Sequence, residues 1–209
     1  MSSAGASAEE PGRDLAHERD IARLGMLLFL ASEVMLFGGL FAGAFGLRLA
    51  HPVAYGAASS HLHLWLGTAN TAVLLTSSLL VALAVDAAKR DKPKSLAWLF
   101  IAAAVLGLLF AAIKGSEYWL EYREGLMPGI NPSLIGSGPQ RLFMDLYFVA
   151  TGLHAVHLSI GIALLVALAV RALAGHLDRV VAVNVALYWH LVDIVWIFLF
   201  PTLYLARAS

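Results

Sequence analysis

The sequence predicts an all-α fold: a polytopic membrane helix bundle with five transmembrane helices. Of its 209 residues 60% are hydrophobic, not counting the 18 glycines, where a soluble domain has roughly 45–50% with glycine included. Only 13% are Asp, Glu, Lys or Arg, about half the usual quarter, too few to solvate the surface of a water-soluble globule. The apolar residues are gathered into five long runs rich in Ala and Leu, without the alternation of a barrel strand. Each run is as long as the roughly 17–25 residues a helix needs to cross about 30 Å of hydrocarbon, or longer. Inside lipid, helices satisfy every backbone polar group within the segment.

Residues 1–22 contain Glu9, Glu10, Arg13, Asp14, Glu18, Arg19 and Asp20 and no apolar stretch. They lack the centre of a cleavable signal peptide and read as a cytoplasmic N-terminal tail. Residues 23–207 then form a single five-helix domain.

The first span, about 24–47, carries Glu33 within SEVMLFGGLF, with Met26, Leu30, Phe37 and Leu40 on its helical face. Nothing local neutralises this acid, so it finds a partner on another helix or another subunit, or stays protonated. A structural acid and a proton-handling acid are both open readings. The second span, about 64–85, holds Asn70, Thr71, Thr76, Ser77 and Ser78 among small residues, which suits close helix packing.

A charged turn from Asp86 to Ser95 leads to the third span, about 96–120, ending in IKGSEYW. Lys114 and Glu117 lie three apart and Glu121 one turn beyond, beside Tyr118 and Trp119. The expectation is a solvated interfacial salt bridge in an aromatic belt, with Glu117 as a buried ligand or proton group the alternative. The long third loop, Glu121 to Arg141, is rich in Gly and Pro and reads as an irregular external cap.

The fourth span, about 142–170, places Tyr147, Thr151 and His154 on one stripe, with His157 three residues on. The fifth, about 180–205, has His190 and Asp193 three apart. In antiparallel packing His157 and His190 are nearly level. Two facing imidazoles can hold a haem, as in a His-ligated membrane cytochrome b, and with Asp193, Glu117 or Glu33 a metal pair. Against this, no Glu-x-x-His pair occurs within the spans. The other reading is an interhelical hydrogen-bond network of Glu117, His154, His157, His190 and Asp193 that locks helix register.

Lys and Arg divide 9 to 5 of 14 in favour of the side holding the N-terminus and the second and fourth loops, which places the N-terminus in the cytoplasm and the C-terminus outside. Net charge is +0, which sets nucleic-acid binding aside. The absence of cysteine excludes disulfides, thiolate zinc sites and iron–sulfur clusters. No phosphate loop or nucleophile elbow is present. A transporter would be expected to show inverted repeats, which five dissimilar spans do not suggest.

The stretches GMLLFLASEVMLFGGLFAGAF (Gly25 to Phe45), NTAVLLTSS (Asn70 to Ser78), KGSEYW (Lys114 to Trp119), YFVATGLHAVHLSIG (Tyr147 to Gly161) and YWHLVDIVWIFLF (Tyr188 to Phe200) resemble, in the same order, subunit III of the haem–copper respiratory oxidases. The resemblance is to a short form with five spans where many members have seven. It implies a non-catalytic accessory subunit of a terminal oxidase in aerobic respiration, in a bacterial inner membrane. Such a subunit packs on the haem–copper subunit I and other oxidase subunits, holds phospholipid, and leaves haem and copper to its partners.

The resemblance also implies that the histidines are structural, favouring the network over the haem. Glu33 matches the family's buried acid, linked there to proton uptake or lipid contact. Arg171 falls where the family resembles a lipid-headgroup site. The serine–glutamate motif resembles cytochrome c oxidases, with a quinol oxidase or a nitric oxide reductase complex as the alternative. Oxygen reduction would belong to the assembled complex, since this chain shows no catalytic site of its own.

Overall fold

The computed structural model describes residues 10–125, 138–176 and 178–206, with side chains from residue 20 onward. Six helices follow in order: α1 (Glu10–Ala50), α2 (Pro52–Ser59), α3 (Leu64–Lys89), α4 (Pro93–Arg123), α5 (Gly138–Leu173) and α6 (Arg179–Tyr204). Five are long and apolar enough to cross a membrane, over Asp20–Ala50, Leu64–Lys89, Pro93–Arg123, Gly138–Leu173 and Arg179–Tyr204. The described residues include no strand. Each spanning helix runs past the apolar stretch that predicts it, because charged residues at the ends keep the helical conformation after hydropathy has fallen. The N-terminal tail is accordingly continuous with the first span from Glu10. Most of the expected external cap, residues 126–137, lies outside the described residues.

Helices α3 to α6 form a four-helix ring in which each packs on the next and α6 returns to α3. Buried positions explain the packing. In α3 they are Gly67, Asn70, Leu74, Ser77, Val81, Ala84 and Ala88. In α4 they are Leu96, Phe100, Ala103, Gly107, Phe110, Lys114, Glu117 and Glu121. Steps of three and four residues throughout keep one seam facing a neighbour, as in a coiled coil. Small residues on the seam let the backbones approach closely, the main source of cohesion where lipid supplies no hydrophobic drive. A Cβ built on Gly161 would lie 2.8 Å from Trp189 Cε3, and one on Gly107 2.8 Å from Trp189 Cη2. The two glycines thus form the slot that holds the indole.

Helix α1 lies outside the ring, along α5 and α6. Its inward stripe of Met26, Leu30, Glu33, Phe37, Leu40, Ala44 and Leu47 is buried or half-buried, while Leu27, Val34, Met35 and Phe45 face outward. The short α2, which the sequence reading does not foresee, has a definite task. Pro201 interrupts the last turns of α6, and the final carbonyls of a helix lack partners on their own chain. Tyr55 donates its hydroxyl to the Thr202 carbonyl at 2.9 Å and Ser59 donates to Leu203 at 2.6 Å. Burial pushes the Tyr55 phenol up to about 12, so it stays a donor. At the other end of α6, Asp178 accepts from the backbone N–H groups of Val180 and Val181, an N-cap.

Candidate functional site

Three separate groups of polar side chains lie within the spans. The first is built on the α4 seam, where Lys114, Glu117 and Glu121 succeed Gly107 and Phe110 in the same register. All three are buried, at 4%, 0% and 1% exposure, which corrects the expected solvated salt bridge. An ammonium has three protons, and here all three are placed. Lys114 Nζ donates to Glu117 Oε2 at 2.9 Å, to Tyr147 Oη at 2.7 Å and to Tyr204 Oη at 2.5 Å. The Tyr147 hydroxyl donates to Glu121 Oε1 at 2.6 Å, and the Tyr204 hydroxyl to both oxygens of Glu117 at 2.9 Å. The rings of Tyr118, Tyr147, Trp196 and Tyr204 surround the ammonium at 4.6 to 5.7 Å, within cation–π range. The cluster thereby ties α4, α5 and α6 together at one end of the bundle. Tyr204, on α6, is the member the sequence reading leaves out, and Glu121 is placed there at the interface; the three-and-four spacing that continues the α4 seam is the signal that assigns Glu121 to the interior.

The second group joins α1 to the ring. His157 on α5 has Nδ1 2.8 Å from the Leu153 carbonyl oxygen, while its Nε2 lies 2.9 Å from Glu33 Oε2. That second contact falls outside hydrogen-bond geometry, so it is a close electrostatic pair and not an aligned bond. Phe37 stands edge-on to the imidazole with centroids 5.5 Å apart, and Tyr188 donates to the His157 carbonyl at 3.0 Å. The acid that has no partner on its own helix thus meets one on α5.

The third group lies between α3 and α6. Ser78 Oγ and His190 Nδ1 are 2.8 Å apart. Asp193 Oδ2 stands 4.0 Å from the same nitrogen, beyond hydrogen-bond range, and neither carboxyl oxygen of Asp193 has a hydrogen bond among the described residues. Beside it Trp196 Nε1 donates to Thr71 Oγ1 at 3.1 Å.

His157 and His190 therefore face different neighbours, Glu33 and Ser78, and do not form an axial pair. His154 joins neither group. It is buried between Phe110 and Trp196, with ring centroids 5.7 and 5.3 Å away, and neither nitrogen is hydrogen-bonded among the described residues. Among those residues no three His, Asp or Glu side chains gather as a metal site would require. Arg171 is exposed in the last turn of α5.

The sequence profile of cytochrome c oxidase subunit III matches residues 11–207. The chain belongs to the cytochrome c oxidase subunit III family. A cytochrome c oxidase subunit 3 from Thermostichus vulcanus is 34% identical over 198 residues, 92% of this chain and 91% of that protein. A probable quinol oxidase subunit 3 from Staphylococcus epidermidis is 34% identical over 196 residues, 90% of each chain. A probable cytochrome c oxidase subunit 3 from Nocardia farcinica is 33% identical over 192 residues, 90% of this chain and 89% of that one. As a subunit III, the chain is one component of a multi-subunit respiratory oxidase.

Proposed function

We propose that the chain is a non-catalytic accessory subunit of a haem–copper terminal oxidase in a bacterial inner membrane, with its N-terminus cytoplasmic and C-terminus external. It packs on subunit I, stabilises it, and leaves haem and copper to its partners. The observation that carries this reading is the separation of the mid-membrane imidazoles. His157 faces Leu153 and Glu33, His190 has one ring nitrogen on Ser78, and His154 is walled in by aromatic rings. Such groups hold helices in register and present no haem ligand pair.

Lipid and proton roles attach to the α1 side. A groove between α1 and α6 is lined by Arg23, Leu27, Arg179, Val183 and Asn184. It continues past Asn184 to Met26, Phe29, His157, Ile160 and Tyr188. Arg23, with Arg179 beside it in an ion pair with Asp91, lies at one end, and this end with the apolar walls below suits a phospholipid phosphate and its acyl chain, with Arg171 a further headgroup contact at the same end of the bundle. Glu33, beside this groove, is the group that supports proton uptake by the complex.

For the electron donor, cytochrome c is the first reading, on the serine–glutamate motif. The equal identity to a probable quinol oxidase subunit 3 keeps quinol as the second, as expected if the donor docks on other subunits. The test is affinity purification of the tagged chain from native membranes in mild detergent. A larger haem-containing subunit should accompany it, with the Soret band following that subunit. A colourless homo-oligomer, or a Soret band on this chain alone, overturns the reading.

A further inference from the structure

Several polar side chains inside the ring of α3 to α6 meet one another. Ser77 donates to the Ala103 carbonyl, Trp196 to Thr71 Oγ1, and the hydroxyls of Tyr118 and Thr151 share a hydrogen bond. Asn70 on α3, His154 on α5 and Asp193 on α6 differ. They are buried at 0%, 1% and 3% exposure, and both side-chain polar atoms of each lack a hydrogen-bond partner among the described residues. Trp189 Nε1, one turn before Asp193, is in the same condition. All stand close to Trp196 in depth. His154 lies against its ring with centroids 5.3 Å apart, Asn70 adjoins the Thr71 that accepts from its indole, and Asp193 is three residues before it, about 4.5 Å along the axis.

Unmet donors and acceptors at this burial are costly. The ring is closed, each helix packing on the next and α6 on α3, so neither a lipid headgroup nor a side chain from another protein reaches them. The chemistry of the set names the ligand. Asn70 offers donors and an acceptor, the carboxyl oxygens of Asp193 accept, Trp189 Nε1–H donates, and an imidazole nitrogen serves either way. A metal cation would meet only the acceptors, and an anion only the donors. Water meets both, and a buried water takes two to four such partners. Asp193 Oδ2 also stands 4.0 Å from His190 Nδ1, a separation that one water can bridge. We propose that the interior of the four-helix ring is a water-binding site beside Trp196, with water held by Asn70, His154 and Asp193 and receiving the Trp189 N–H. The site belongs to this chain alone and does not depend on which complex the chain serves.

Hydroxyl-radical footprinting by X-ray pulses tests it, on the chain purified from native membranes with whatever accompanies it and read by mass spectrometry. Radicals formed from bound water oxidise the side chains that touch it, whereas radicals from bulk water reach exposed ones. Trp65, 85% exposed, reports the bulk reaction, and Phe100, fully buried on the α4 seam, reports a dry interior. The expected result is oxidation of Trp196 and His154 several-fold faster than of Phe100. Equally slow oxidation at all three would show a dry ring, and equally fast oxidation would show opening to bulk water; either overturns the proposal. In Asn70→Leu, oxidation of Trp196 should fall toward the Phe100 rate while Trp65 is unchanged, and an undiminished Trp196 rate overturns the assignment of the water to these side chains. The decisive comparison is made in the unmodified chain, so it stands even if that variant fails to fold.

Discussion

His157 Nε2 lies 2.9 Å from Glu33 Oε2 across the interface between α1 and α5. The same ring places Nδ1 2.8 Å from the Leu153 carbonyl oxygen, and a carbonyl only accepts, so Nδ1 carries a proton. That leaves Nε2 to face the carboxyl group, so each of the two polar groups has the other as its neighbour within the hydrocarbon. Glu33→Gln retains a donor toward Nε2 but no titratable proton. The complex should assemble with unchanged haem content, while oxygen reduction, or its persistence over many turnovers, falls most toward high pH, where proton supply limits. Turnover and inactivation unchanged across the range of about pH 5 to 8 in which an imidazole ordinarily changes charge, and above it, would show the acid to be a packing group. His157→Leu strands the acid and should destabilise by roughly 1–3 kcal/mol. The double replacement Glu33→Leu with His157→Leu should be milder than His157→Leu alone, because no unpaired group is left.

The Lys114 cluster makes a stronger prediction. Its ammonium satisfies three partners at once, so Lys114→Met leaves Glu117 and both tyrosine hydroxyls without their cation. Removing one partner of a buried ion pair costs about 3–5 kcal/mol. The variant should assemble poorly, read as yield and thermal stability of the solubilised complex, and adding Glu117→Gln should recover part of the loss. Tyr204→Phe removes one hydroxyl that bridges Lys114 and Glu117 and should cost about 1–3 kcal/mol. Wild-type stability in Lys114→Met would show that the cluster does not bind α4 to α5 and α6.

These groups differ in how far they could be read from the chain. The spans are legible because hydropathy over some twenty residues records the one solvent change that matters. Pairing is less legible. Comparing depths singles out His157 and His190, yet α1 packs against the α5 face that carries His157, and α3 against the α6 face that carries His190. Rotation of a helix about its axis, not depth, decides the partner. Tyr118 and Trp119 next to KGSE make the end of α4 resemble a wet interface, although the seam running from Ala103 through Gly107 and Phe110 already assigns Lys114, Glu117 and Glu121 to the interior. Helix α2 is hidden for another reason: eight residues give little periodicity, and its purpose depends on α6 carbonyls some 145 positions away.

Glycines with similar sequence surroundings should respond differently to a methyl group. Gly161→Ala drives a Cβ against the Trp189 ring, which is fully buried and cannot retreat. Overpacking of this kind costs roughly 1–3 kcal/mol, and the variant should melt earlier in detergent. Gly38→Ala, where a Cβ meets nothing within 4 Å, should leave the melting of the isolated subunit unchanged. Equal effects at the two sites would mean that Trp189 is not seated between α4 and α5.

The proposed topology rests on charge and on the odd number of spans. If all five apolar helices cross the membrane, the N- and C-terminal ends fall on opposite sides. Lys89, Arg90, Lys92 and Lys94 crowd the short α3–α4 connection, with Arg171 and Arg179 flanking the α5–α6 connection on the same side, where positive residues are retained in the cytoplasm. A reporter active only outside the cytoplasm should therefore work when fused after Ser209 and stay silent when inserted beside Asp91. Moving the balance should move the outcome: replacing Lys89, Arg90, Lys92 and Lys94 with Gln removes four of the nine charges on that side and should yield a mixed population. The reverse pattern in the unmodified chain would place the Arg23 and Arg179 groove in the outer leaflet, and with it the proposed phosphate contact.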